Sequence, residues 1–214
     1  MNRPRRKSRT VERFHRLYYE SEDSTWKDTW FLGVRTAKCP LDLWVYQEIL
    51  FELRPEVIVE CGTAYGGSAL YLARTCDLIG TGRVVTIDVV EEPDRPTHPR
   101  ITYLNGSSTA PEILERVIHE VKGSAPVLVL LDSDHRRDHV LAEMRAYAPL
   151  VTPGSYLVVE DTNVNGHPVL PAFGKGPWEA VDEFLRANDR FVRDESREKF
   201  LLTFNPGGFL RRVR

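Results

Sequence analysis

Cysteine is scarce in this sequence. Cys39, Cys61 and Cys76 show neither C-x-x-C spacing nor an even count, which argues against a disulfide framework. No stretch approaches the roughly 18 apolar residues of a membrane span. The N-terminus also lacks the apolar segment of a secretory signal, so a cytoplasmic location is expected. With a formal net charge of −2, the chain has no global attraction to nucleic acid or to a membrane surface, and neither is expected as a partner. Positive charge gathers only in Arg3, Arg5, Arg6, Lys7 and Arg9, and residues 1–10 read as a basic, solvated arm. Outside that arm there is no low-complexity segment, and no internal repeat. Two nucleotide signatures are missing as well: neither G-x-G-x-x-G nor G-K-[ST] occurs, so a dinucleotide fold of the usual fingerprint and a P-loop are both excluded.

What the sequence does contain is an alternation of short apolar runs and longer helical patterns. The runs "VIVEC" (57–61), "RVVTID" (83–88), "ITYL" (101–104), "VLVLLD" (127–132) and "YLVVED" (156–161) are apolar on both faces, as strands of a parallel sheet covered on each side must be. Helical periodicity lies between them at about 66–76, 110–122, 138–149 and 177–188, and precedes them at about 11–22 and 41–53. At 214 residues this predicts one domain over 11–214, with a helical cap and lid at 11–55 and a doubly wound α/β core at 56–214. Toward the C-terminus, "RFVRD" (190–194) and "KFLLTFN" (199–205) are expected to form an antiparallel hairpin at one sheet edge, giving a mostly parallel, seven-stranded sheet.

Open parallel sheets bind ligands beyond the carboxyl ends of their strands, so the residues following each strand are the candidates. After the first strand, "ECGTAYGGSALYLA" (60–73) supplies Gly62, Gly66 and Gly67 for a tight turn and Ser68 for a helix start, a loop suited to a nucleoside without a gripped pyrophosphate. Asp88 ends the second strand and is placed to accept hydrogen bonds from ribose hydroxyls. After the third comes "NGSST" (105–109), whose Ser107, Ser108 and Thr109 are expected to cap the next helix or meet an adenine edge. The fourth and fifth strands end in acids: Asp132 in "DSDHRRDH" and the adjacent pair Glu160-Asp161. Three carboxylates at one rim repel unless a cation lies among them, and hard oxygen ligands without cysteine favour Mg²⁺, Ca²⁺ or Mn²⁺. His135 and His139, four apart, read as a solvated helical face rather than a zinc pair. Asp134, two residues past Asp132, is expected to face away from the acids.

Taken together, "VIVECGTAYGGSALYLA", "TID", "LDSDH" and "VVED" resemble class I S-adenosylmethionine-dependent methyltransferases, within them the divalent-metal O-methyltransferases. A closer resemblance is to the cephalosporin-hydroxylase-like family, which includes rhamnosyl O-methyltransferases. It extends through "TWFLGVRTAKCPLDLWVYQE" (29–48), "NGHPV" (165–169), "GPWEAVDEFL" (176–185) and "KFLLTFNPGGFLRRV" (199–213). The resemblance implies a Rossmann-like methyltransferase in which Glu60, Gly62 and Ser68 hold the methionine part of S-adenosylmethionine, Asp88 the ribose, and Gly106, Ser107 and Ser108 the adenine. It further implies Mg²⁺ on Asp132, Glu160 and Asp161, where the wider group carries Asp-Asn in place of Glu-Asp. Catechol-type enzymes place a general-base lysine three residues after the first metal acid; His135 stands there, making His135 and Asp132 the candidate catalytic pair. Lys38, in the lid segment "GVRTAKCP" (33–40), is implied to reach the carboxylate of the methionine part.

The expected activity is O-methylation of a small hydroxylated molecule such as a sugar, polyketide or antibiotic intermediate, with "PVLPAFGKGPW" (168–178) setting the choice of substrate. A hydroxylase or hydroxylase-accessory protein, and a non-catalytic S-adenosylmethionine-binding protein, are the competing readings. No His-x-Asp…His iron triad is evident for the former. Phe14, Tyr18, Tyr19, Trp26, Trp30 and Phe31 concentrate apolar surface near the N-terminus, and a homo-oligomer using that surface is expected.

Overall fold

A computed structural model describes residues 9–214. Most of the basic arm, including Arg3, Arg5, Arg6 and Lys7, therefore lies outside the described residues. Arg9 already opens the first helix, α1 (Arg9–Glu20). After it come a short hairpin, β1 (Trp30–Phe31) and β2 (Val34–Arg35), and helix α2 (Pro40–Leu53). The core then alternates as the apolar periodicity requires: β3 (Val57–Cys61), α3 (Gly67–Ile79), β4 (Arg83–Asp88), β5 (Ile101–Asn105), α4 (Pro111–Val121), β6 (Val127–Leu131), α5 (Arg137–Tyr147), β7 (Tyr156–Val159) and α6 (Pro177–Ala187). Strands β8 (Phe191–Arg193) and β9 (Phe209–Arg212) complete a seven-stranded sheet of order β5-β4-β3-β6-β7-β9-β8. Pairings from β5 through β7 are parallel, while β9 runs antiparallel to both of its neighbours. None of the described helices is long and apolar enough to cross a membrane.

The strands are apolar throughout because both faces are covered. Val57, Val59, Val85, Val129 and Leu157 pack with α4, α5 and α6. Their alternates Ile58, Val84, Leu128, Leu130 and Val158 pack with α2 and α3. Period-two alternation thus divides each run between two apolar layers. The chain order reverses between β3 and β6, which opens a crevice at their carboxyl ends.

One sequence expectation is overturned. Residues 199–205 form no strand; the antiparallel partner of β8 is Phe209–Arg212. Leu202 and Phe204 are buried instead beneath the N-terminal cap with Cys39, where Tyr18, Tyr19 and Trp26 ring Phe204. The Phe204 backbone N–H donates to Asp42 (2.8 Å) rather than to a strand. Pairing resumes at Gly208, whose carbonyl accepts from the Val159 N–H (2.9 Å) and where a Cβ would lie 2.2 Å from the Val159 carbonyl oxygen.

That cap absorbs much of the aromatic surface expected to join subunits. Phe31 packs edge-on against Tyr71, and of the six aromatics only Phe14 and Trp30 remain more than half exposed.

Asp42, on α2, anchors the cap from within. It is buried, and burial pushes its carboxyl up to about 6. A native pKa raised above the unfolded one means that the folded state holds the extra proton, so stability falls as pH rises through that range. Asp42→Asn should remove this slope. In denaturant titrations, the stability of the wild type relative to the variant should drop by about 1–2 kcal/mol between about pH 5 and about pH 8. A constant difference would show that Asp42 does not titrate there.

Candidate active site

The crevice at the β3–β6 switch is a cleft of about 420 Å³ whose walls include Lys38, Gly62, Ser68, Asp88, Gly106, Ser107, Ser108 and Asp132. Seven of the eight residues that the resemblance assigned to the cofactor line it. The exception, Glu60, is wholly buried behind it. A smaller cavity of about 250 Å³ lies between α5 and α6, away from the strand ends.

The glycine loop owes its form to its neighbours as much as to any ligand. At Gly62, with φ +98°, a Cβ would sit 1.9 Å from the Asp132 carbonyl oxygen, so β3 and β6 can diverge at the switch only over a glycine. Asp88 holds the loop in place: its Oδ2 accepts from the backbone N–H of Thr63 (2.9 Å) and Ala64 (2.8 Å), and its Oδ1 from that of Val90 (2.9 Å). Behind the loop, Thr86 Oγ1 donates to Glu60 Oε2 (2.6 Å). Glu60 Oε1 is buried without a hydrogen-bond partner, and burial raises the carboxyl against the opposing pull of Lys38.

The segment after β5 does not cap α4 as expected. Ala110 occupies the N-cap position, and Ser107 turns back toward Thr109. Ser108 reaches across to α5 and donates to Glu143 Oε1 (2.5 Å), which also accepts from Ser133 Oγ (2.7 Å). His139 Nε2 lies 3.1 Å from Ser133 Oγ and 3.4 Å from Glu143. His139 and Ser133 line the cleft, so the pair of histidines divides: His139 belongs to this polar cluster and His135 to the acidic one. Sequence reasoning missed Glu143. Its signal was an acid inside the apolar stripe of Val140, Met144 and Tyr147 on α5.

At the ends of β6 and β7 the carboxylates converge as expected, with a division of labour that the sequence did not reveal. One ligand atom each from Asp132, His135 and Asp161 all lie within 4.8 Å of one another. His135 Nε2 is 3.1 Å from Asp161 Oδ2 and 4.0 Å from Asp132 Oδ1. Asp161 is held at φ +51°, its backbone N–H donating to Asn205 Oδ1 (3.1 Å). Glu160 turns instead to Lys38, whose ammonium bridges Glu160 Oε2 (2.8 Å) and Asp132 Oδ2. Lys38 therefore touches the acids, not only the cleft where the methionine carboxylate was expected. Its side chain is 5% exposed; burial opposes its charge, yet Asp132 and Glu160 prevail and hold its pKa above the ordinary lysine value. Burial raises the Glu160 and Asp161 carboxyls, with Asp132 adding to both. Glu160 Oε1 has no partner. Asp134 faces Arg136, which holds its carboxyl below the usual range.

Glu143 also governs His139, whose pKa is raised chiefly by their hydrogen bond. Glu143→Gln should lower the His139 midpoint in an NMR titration of its ring protons while leaving the apolar face of α5 intact. An unshifted midpoint would mean that Glu143 serves only Ser108 and Ser133.

Comparison with known proteins fits this geometry. The Rhamnosyl O-methyltransferase/CmcI family matches residues 23–213. The chain is 42% identical over 211 residues to a rhamnosyl O-methyltransferase of Mycobacterium tuberculosis, covering 94% of this chain and 84% of that one. It is 42% identical over 207 residues to that of Mycobacterium leprae, covering 94% and 89%. Among solved structures, CmcI with Mg and SAM has a TM-score of 0.68 at 22% identity, covering 100% of this chain and 88% of that chain. The MycE methyltransferase of the mycinamycin biosynthetic pathway, in complex with Mg, SAH and mycinamycin VI, has a TM-score of 0.52 at 20% identity, covering 66% and 39%. These structural likenesses establish the fold, and the sequence matches establish kinship: the chain belongs to the Rhamnosyl O-methyltransferase/CmcI family.

Proposed function

We propose that the protein transfers the methyl group of S-adenosylmethionine to a hydroxyl oxygen of a sugar-bearing small molecule, with a divalent cation at the carboxyl ends of β6 and β7. One observation carries the reading: Asp132, Glu160 and Asp161 meet at one rim beside a cleft at the switch point, the first two bridged by the buried Lys38 ammonium and the third set against His135. The donor set fits a hard divalent ion, because carboxylate oxygens dominate it and Glu160 Oε1 is buried and unmatched. The cleft fits a nucleoside cofactor in volume, with Asp88 at the end of β4 and Ser107 and Ser108 on its wall. When bound, the ion would polarise the acceptor hydroxyl and lower its pKa.

The chain's own residues then align and deprotonate the acceptor. Asp161 orients the His135 imidazole, and His135 takes the hydroxyl proton. Most of the remaining work is positioning, since an in-line methyl transfer needs the acceptor oxygen held against the sulfonium carbon. The segment 168–178 adjoins the residues after His135, the Lys175 carbonyl accepting from the Arg137 N–H (3.1 Å), and is pinned at both ends. Arg16 of α1 donates to the Pro168 carbonyl (3.0 Å), and Glu179 of α6 accepts from the backbone N–H of Gly176 (2.7 Å). It supports the assignment of substrate choice to this loop. The names of the mycobacterial relatives support a rhamnosyl glycoside as the substrate class. An iron oxygenase is less well served, because the cluster offers one imidazole and two aspartates rather than two imidazoles. A homo-oligomer would use the exposed Phe14 and Trp30.

Incubation with methyl-labelled S-adenosylmethionine and a panel of deoxysugar glycosides should label the sugar, with chelator abolishing transfer and Mg²⁺ restoring it. Full labelling in excess chelator would overturn the metal reading. Because burial raises the Glu160 and Asp161 carboxyls, metal affinity should climb with pH, and calorimetric heats that depend on the buffer would report the protons released. His135→Ala should lower kcat by about 10²–10⁴ at unchanged metal affinity if His135 is the base. A fall in metal affinity would make it a ligand instead.

A further inference from the structure

The sequence resemblance placed Lys38 against the cofactor, but in the structure its ammonium lies between two of the acids assigned to the metal. We propose that Lys38 and the divalent ion are mutually exclusive occupants of the Asp132–Glu160 carboxylate pair, so that binding the ion drives the Lys38 side chain out into the cleft. This rests on the metal reading above and concerns what the ion must displace.

Three observations bear on it. The ammonium contacts Asp132 Oδ2 and Glu160 Oε2 (2.8 Å), two of the oxygens that an ion shared by these carboxylates would need. Two positive charges cannot share those oxygens without strong repulsion, least screened on the Glu160 side of the site, where Lys38 is 5% and the Glu160 side chain 8% exposed. Nor can the backbone withdraw to make room. The Lys38 N–H donates to Thr29 Oγ1 (3.0 Å), that hydroxyl lies 3.2 Å from the Lys38 carbonyl, and the neighbouring Thr36 N–H donates to the Thr29 carbonyl (2.8 Å). Motion is therefore left to the four-carbon side chain. Lys38 already forms part of the cleft wall, so rotation of that chain delivers the ammonium to the space proposed for the cofactor. There it would meet an anionic group of the ligand. Metal binding would thus prepare the cleft for the negatively charged end of the cofactor, and the two would bind with positive coupling.

Lysine also explains how the metal-free protein tolerates its acids. Removing one partner of a buried ion pair leaves an uncompensated charge, so some cation has to stand there before the metal arrives.

The test compares wild type with Lys38→Met, which keeps the length and apolar packing of the stem. Without cofactor, Mn²⁺ or Mg²⁺ binding measured by paramagnetic resonance or calorimetry should be at least about tenfold tighter in the variant, about 1.4 kcal/mol. Metal-free Lys38→Met should also melt below wild type and gain more from added metal. In the unmutated protein, the amine of Lys38 should resist reductive methylation in chelator and become reactive with saturating Mg²⁺, read by peptide mass spectrometry. This readout holds even if the variant fails to fold. Equal or weaker metal binding in Lys38→Met, or protection of the wild-type amine that persists at saturating metal, would overturn the displacement while leaving the metal site standing. No metal binding by either protein would remove the metal reading and the displacement with it.

Discussion

Negative charge held out of water at the ends of β6 and β7 is the constraint around which the cleft is organised. Asp132, Glu160 and Asp161 stand at one rim, with Glu60 behind the glycine loop and Asp42 under the cap. An ionised carboxylate in such surroundings needs a cation or several donors. Lys38 supplies the charge to Asp132 and Glu160 and His135 lies 3.1 Å from Asp161, while Asn205, through the Asp161 backbone, fixes the direction in which one acid points. Lys38 lies on the lid segment, and the lid is held over the acids by Thr29 and by the packing of Tyr19, Trp26 and Phe204 beneath α1.

The sheet supplies the rigidity that such a site requires. With Val57, Val59, Ile58 and their neighbours buried on both faces, the carboxyl ends of β3, β4, β6 and β7 are set by packing rather than by loops. Gly62 shows how tightly the geometry is drawn, since the Asp132 carbonyl occupies the space of its missing side chain. The same glycine that lines the cleft is thus also the point where the end of β3 is pressed against the end of β6, the strand that leads to the first acid. A single position joins the glycine loop to the acidic rim.

A second polar cluster also lines the cleft. Ser108, Ser133, His139 and Glu143 draw together the segments after β5 and β6 and the α5 helix, so the two loops are tied to each other through one buried carboxylate. Glu143 accomplishes this from a fully buried position, as a carboxylate that accepts two hydroxyl hydrogen bonds can.

The sequence by itself determined the sheet and its site-bearing rim. Continuous apolar runs bounded by glycine, aspartate or glutamate read as strands covered on both sides, and their acidic ends were expected at the carboxyl rim of the sheet. The apolar content of 199–205 was legible too, but not its destination: Leu202 and Phe204 satisfy a cap built from residues 150 or more positions earlier, and no local pattern encodes that meeting. Glu143 could be suspected from its place among Val140, Met144 and Tyr147, whereas its partners Ser108 and Ser133 come from two other segments. The position of Lys38 was the least legible. A lysine in a polar lid reads as solvent-facing or ligand-facing, and only the tertiary fold, by carrying the lid across the ends of β6 and β7, brings its charge onto Asp132 and Glu160. Periodicity fixes which side of an element is apolar; which distant charges must neutralise one another is decided only when the elements pack and exclude water.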